Sequence, residues 1–149
     1  MGGSDDWAGG QASYGGNAAN GGNVHLTNST TTGTITTQGG YSYGGYGGNG
    51  GNVHLTNSAS GTIDTYGLGD YGGGNGGNVT LDEGSTSGAI SANGGEGLGD
   101  YAGGNGGYVT LDGGSTSGAI STYGGDSFTN PGSQGGAVTL DGGSTSGAI

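Results

Sequence analysis

The sequence has no lysine, no arginine and no cysteine. Without basic side chains nothing in it can neutralise phosphates, and eleven carboxylates leave a formal net charge of −11. Nucleic acid and anionic membrane surfaces are therefore poor partners. Without cysteine there is no disulfide framework and no thiolate metal site. No run approaches the roughly 18 apolar residues that cross a bilayer, so membrane insertion is not expected. Met1 to Asp6 shows neither the basic segment nor the apolar stretch of a secretion signal. There is a single proline among 149 residues, which excludes collagen despite abundant glycine, because collagen needs glycine at every third position and frequent proline.

What is abundant is glycine, 46 residues of it. A polar chain this rich in glycine is a candidate for disorder unless its few apolar residues are placed to make a core. They are so placed. Val24, Val53, Val79, Val109 and Val138 each open a Val-x-Leu triplet, at spacings of 29, 26, 30 and 29 residues. An isoleucine follows each valine by ten or eleven residues: Ile35, Ile63, Ile90, Ile120 and Ile149. Fifteen of the seventeen Val, Leu and Ile residues fall in these slots. The other two, Leu68 and Leu98, share a Gly-Leu-Gly-Asp-Tyr motif.

Self-similarity at a period of this length marks a stacked repeat, in which each unit buries its apolar side only against its neighbours. Val-x-Leu alternates as a half-buried strand does. The isoleucine marks a second short strand, Gly-Leu-Gly-Asp-Tyr a third, and Gly-rich corners join them. Glycine and the lack of a 3.6-residue period argue against helices. The expected fold is all-β, a parallel β-solenoid of about five Gly-rich coils; the alternative is a polyglycine-II bundle with short strands. Residues 1–19 are expected to be a lead-in or partial coil, and 20–149 a single repeat domain. The expected core ladder comprises Val24, Leu26, Ile35, Val53, Leu55, Ile63, Val79, Leu81, Ile90, Val109, Leu111, Ile120, Val138, Leu140 and Ile149.

Candidate chemistry is sparse. His25 and His54 occupy the same outward slot of successive repeats, filled later by Thr80, Thr110 and Thr139; a shared metal competes there with a plain surface ladder. Asp82, Asp112 and Asp141 each follow the Val-Thr-Leu strand, and Asp70 and Asp100 form a second pair. Stacked carboxylates repel unless a cation bridges them or they turn aside to cap turn N–H groups. Calcium is the ion whose oxygen preference suits them. No Ser-His-Asp set or carboxylate pair is fixed by spacing, so an enzyme is not expected, and no other cofactor is implied.

Runs such as Gly-Gly-Asn-Val-His-Leu-Thr followed by Gly-Thr-Ile-Thr-Thr resemble the Gly-rich repeats of filamentous-haemagglutinin-like bacterial surface proteins. That resemblance implies an exported parallel β-helix used in adhesion and biofilms. Gly-Gly-Asn-Gly-Gly is similar, more distantly, to polyglycine-II adhesins of phage fibre tips. The expected role is a structural extracellular or cell-surface protein, a filament subunit or adhesin stalk, polymerising with its own copies end to end. The alternative is a fibre-tip adhesin that binds a carbohydrate or receptor, with glycans as partners. The last unit closes after its second strand at Ile149, and residues 7–23 resemble the missing return segment, which fits head-to-tail joining.

Overall fold

The computed structural model describes residues 6–7, 9–11, 13–14, 16–69 and 71–149. Among them it contains short strands and no helix: β1 Asp6–Trp7, β2 Ser13–Tyr14, β3 Val24–Thr27, β4 Ile35–Thr36, β5 Ser42–Tyr43, β6 Val53–Thr56, β7 Ile63–Asp64, β8 Val79–Asp82, β9 Ile90–Ser91, β10 Val109–Leu111, β11 Ile120–Ser121 and β12 Val138–Leu140. Every pairing is parallel and joins equivalent positions of successive repeats. One sheet runs β3-β6-β8-β10-β12, another β1-β4-β7-β9-β11, and β2 pairs with β5. Val24 pairs with Val53, Val53 with Val79, Val79 with Val109 and Val109 with Val138. Ile35, Ile63, Ile90 and Ile120 form the facing column. The chain is a parallel β-solenoid of about four turns. The lead-in joins it through Asp6 opposite Ile35 and Ser13 opposite Ser42.

Strand alternation sends the valine and leucine of each triplet inward and the residue between them outward. Val53, Leu55, Val79, Leu81, Val109 and Leu111 are buried, as are Ile35, Ile63, Ile90 and Ile120. Val24, Leu26 and Val138 are partly buried against that cluster. Two expected ladder members depart from it: Leu140 is 40% exposed and Ile149 72%, because each has a stacked neighbour on one side only. The shared slot expected for Leu68 and Leu98 does not form either. The Leu68 N–H donates to Gly48 O, whereas the Leu98 N–H donates to Tyr71 O. The two leucines thus lie opposite different segments, and Leu98 is exposed. Nor is there a strand around Leu98, where the chain turns at Gly99 with φ of 63°.

After the leucine strand the chain turns a corner that needs left-handed backbone. In the later repeats two consecutive residues have positive φ: Glu83 and Gly84, Gly113 and Gly114, Gly142 and Gly143. The N–H of the following serine closes each turn onto the Asp82, Asp112 or Asp141 carbonyl. Two positive φ values inside an i→i+3 hydrogen bond define a type I′ turn. The first two repeats use one residue fewer, Asn28 (φ 50°) or Asn57 (φ 46°), asparagine being the side chain that best tolerates this region. The serine that ends the corner is buried in Ser58, Ser85 and Ser115. The Ser58 N–H donates to Ser85 Oγ, and Ser85 Oγ–H donates to the Asp82 carbonyl, so the buried hydroxyl is satisfied on both counts.

Glu83 is the exception in its column: a side chain at φ 54° where its counterparts are Gly113 (φ 60°) and Gly142 (φ 58°). It is exposed, so packing does not offset the strain. Left-handed backbone disfavours a non-glycine residue by roughly 1–2 kcal/mol, and glycine loses about 0.5–1 kcal/mol of that through its extra chain entropy. Glu83→Gly is therefore expected to stabilise by about 0.5–1 kcal/mol, read as a Tm rise of about 2 °C in a thermal melt.

The rest of each coil is not strand. Along Gly50-Gly51-Asn52 the three N–H groups point three ways: Gly50 to Asn75 O on the next coil, Gly51 across its own coil to Thr37 O, and Asn52 to the Asn23 side chain on the preceding coil. Gly76-Gly77-Asn78 repeats the pattern with Asn105 O, Thr65 O and the Asn52 side chain. This wall of the solenoid is thus tied to the coil on either side and across its own coil by N–H groups that point in different directions along each triplet. Behind the wall, the buried Thr37 and Thr65 hydroxyls donate to Gly51 O and Gly77 O.

Candidate functional site

The period of three in the glycine wall sets what it shows to solvent. Glycines face the interior, where there is no room for a side chain, and every third residue faces out. Two columns result. One runs Asn20, Asn49, Asn75, Asn105 and the other Asn23, Asn52, Asn78. In each, the side-chain Oδ1 accepts the backbone N–H of the counterpart one coil on: Asn49 N–H to Asn20 Oδ1 at 3.0 Å, Asn75 to Asn49 at 2.8 Å, Asn105 to Asn75 at 2.8 Å. The second column reads Asn52 to Asn23, then Asn78 to Asn52, both at 2.8 Å, and Tyr108 N–H closes it on Asn78 Oδ1 at 2.9 Å. The first column is closed by Gln134 N–H on Asn105 Oδ1. Each Oδ1 is engaged, and the Nδ2 groups of these seven asparagines make no hydrogen bond within the described residues. All seven side chains are exposed.

Between the columns lies a groove of about 600 Å³ lined by asparagines of both columns, by glycines including Gly50 and Gly76, and by Tyr108. No carboxylate lines it. One triplet before Asn49 stands Tyr46, whose ring lies against Gly72 of the next coil; a Cβ there would meet it at 2.2 Å. Tyr46 and Tyr71 both meet Tyr101 edge-on, with centroids 6.0 and 5.7 Å apart. All three rings are about half exposed, an aromatic strip beside the amide wall. These features were missed by reading the sequence for catalytic constellations. The signal was the Gly-Gly-Asn triplet itself, whose outward asparagines recur at the repeat spacing.

The histidines do stack. The His25 and His54 rings are 4.8 Å apart and 6° from parallel. His54 Nε2 lies 2.9 Å from Asp82 Oδ2, a diagonal contact between β6 and β8. The Asp column is not a converging ligand set. Asp112 Oδ1 accepts the Gly113 N–H at 2.6 Å and Asp141 Oδ1 the Gly142 N–H at 2.7 Å, so these carboxylates serve their own turns while Asp82 turns to His54. Asp100 accepts the Thr129 hydroxyl on an exposed loop, and Asp70 lies outside the described residues. Among the described residues no three His, Cys, Asp or Glu side chains group as metal ligands would.

A second, smaller recess of about 260 Å³ is lined by Tyr66, Leu68, Glu96 and glycines. Burial pushes the Tyr66 phenol above its ordinary range, the Asp64 carboxylate adds to this, and the Gln38 amide, donating to the phenol oxygen at 2.5 Å, opposes it. That phenol therefore stays neutral and serves as a hydrogen-bonding group. What the described residues offer beside these contacts is a long, uncharged, donor-rich wall. Comparison of the chain with protein-family models, with curated proteins and with solved structures finds no match in any of the three.

Proposed function

We propose that this protein is a structural component of an extracellular filament or adhesin stalk, extended by end-to-end stacking of its solenoid. The observation that carries the reading is the in-register parallel stacking of equivalent strands, Val24 on Val53, Val53 on Val79, Val79 on Val109 and Val109 on Val138. Each rung presents its backbone groups to the next along the axis, and a strand edge of this kind is a template for another chain. A second copy placed in register would continue both the backbone ladder and the apolar column, a head-to-tail contact that does not close on itself. Nor does the sequence carry any lysine, the side chain that most often blocks such edges. The resemblance to filamentous-haemagglutinin-like repeats points the same way.

The test is sedimentation and negative-stain microscopy over a wide concentration range. Thin rods that lengthen with concentration are expected, and Leu140→Asp, which sets a charge on the exposed edge without entering the buried core, is expected to abolish them. A chain that remains monodisperse at the highest concentration overturns the proposal.

A further inference from the structure

We infer that the asparagine-lined groove is a binding site for an extended, uncharged polysaccharide chain lying along the solenoid axis. The two columns run along that axis, so the groove does too, and its amides recur at the rung spacing of about 4.8 Å. Each carboxamide has its oxygen engaged by the backbone of the next coil, leaving the two Nδ2 hydrogens to a ligand. A fitting ligand presents acceptor oxygens repeatedly along its length, as the hydroxyl and ring oxygens of a glycan do. The groove lining is free of charge while the chain as a whole carries −11, so acidic glycans and other polyanions are repelled. Cations find carboxylates elsewhere and none in the groove.

The floor is glycine and admits a flat polymer close to the backbone, with Tyr108 at one end of the lining to stack on a sugar face. A volume of about 600 Å³ is in the range of built ligand sites. A second copy of this wall is the poorer occupant, since it would set Nδ2 donors against Nδ2 donors. The inference rests on the groove and not on end-to-end stacking, and it applies equally to a single dispersed chain.

The test is calorimetric titration of the dispersed Leu140→Asp protein and of the unaltered protein with cellohexaose, xylohexaose, mannohexaose and a galacturonic acid hexamer, with pull-down on insoluble cellulose and chitin. At least one neutral glycan is expected to bind both forms, and the acidic hexamer neither. Asn75→Asp keeps an oxygen for the Asn105 N–H but replaces the two donors by a charged acceptor; it is expected to weaken binding at least tenfold with the thermal melt unchanged. Tyr108→Ala, which keeps its own N–H on the ladder, is expected to weaken binding several-fold, and Thr110→Ser, on another face, to leave it alone. Failure of every neutral glycan to bind overturns the inference, as does wild-type affinity in both Asn75→Asp and Tyr108→Ala. Side-by-side dimers that vanish in Asn75→Asp would assign the groove to a second copy and overturn it as well.

Discussion

Gly50→Ala is expected to lower Tm by roughly 10 °C or more, a loss on the order of 3–5 kcal/mol from one methyl group. A Cβ at Gly50 would sit 1.8 Å from Thr65 O, 2.6 Å from Thr65 C and 2.7 Å from Gly77 N. All three are backbone atoms, so no side chain can rotate away. The wall would have to retreat from the Ile strand, and retreat breaks two short bonds that fasten it: Gly51 N–H to Thr37 O at 2.6 Å and Gly77 N–H to Thr65 O at 2.5 Å. Each lost buried bond adds about 1 kcal/mol or more, because the groups are left without water. Gly132→Ala is the matched control. Nothing lies within 4 Å of a Cβ there, and the expected result is no change or a gain of about 0.4–1 kcal/mol from a less flexible unfolded chain. Circular-dichroism melts of the two variants make the comparison. Equal melts would mean that the glycine wall is not close-packed.

The contrast between these glycines shows what was legible in the sequence and what was not. The aliphatic half of the core was plain, since Val-x-Leu and the lone isoleucines recur at one spacing and can stack in only one register. The corner was partly plain: Asp112-Gly113-Gly114-Ser115 reads as a turn, although its need for two positive φ values shows only when Glu83 is seen to occupy one of them. The glycine half was read as return loop. Glycine carries no side chain from which an inward or outward pattern can be scored, so a three-residue period of packed backbone looks like flexible linker. Only the outward asparagines betray it, and their role depends on a bond from side chain to next-coil backbone that no propensity describes. Leu68 and Leu98 misled for the opposite reason. Their shared motif suggested a shared slot, but the loops that contain them differ in path, and parallel stacking follows backbone register, not motif identity.

Ile90→Asp and Ile149→Asp separate motif from position, because both isoleucines end the same Ser-Gly-Ala-Ile sequence. Ile90 is 1% exposed, paired with Ile63 on one side and Ile120 on the other. Ile149 is 72% exposed. Placing a carboxylate at 90 buries a charge in a chain that has no lysine or arginine to pair with it, so the penalty is that of an uncompensated ion, several kcal/mol after relaxation. Coils in a solenoid contact only their neighbours, so a break at 90 divides the stack rather than loosening it evenly. The expected result is loss of the cooperative melt near neutral pH, with protease cleavage appearing in the coils on either side. Ile90→Val, which removes one methylene, is expected to cost only about 0.5–1.5 kcal/mol, and Ile149→Asp less than that. Burial raises the pKa of the introduced carboxyl above its unfolded value near 3.9. The folded form tolerates the neutral acid, so the deficit of Ile90→Asp relative to the unaltered protein is smallest below about pH 3.9 and grows as pH rises through that value. A deficit independent of pH would mean that the side chain escapes to solvent. Equal melts for Ile90→Asp and Ile149→Asp at neutral pH would mean that the isoleucine column does not hold the coils together.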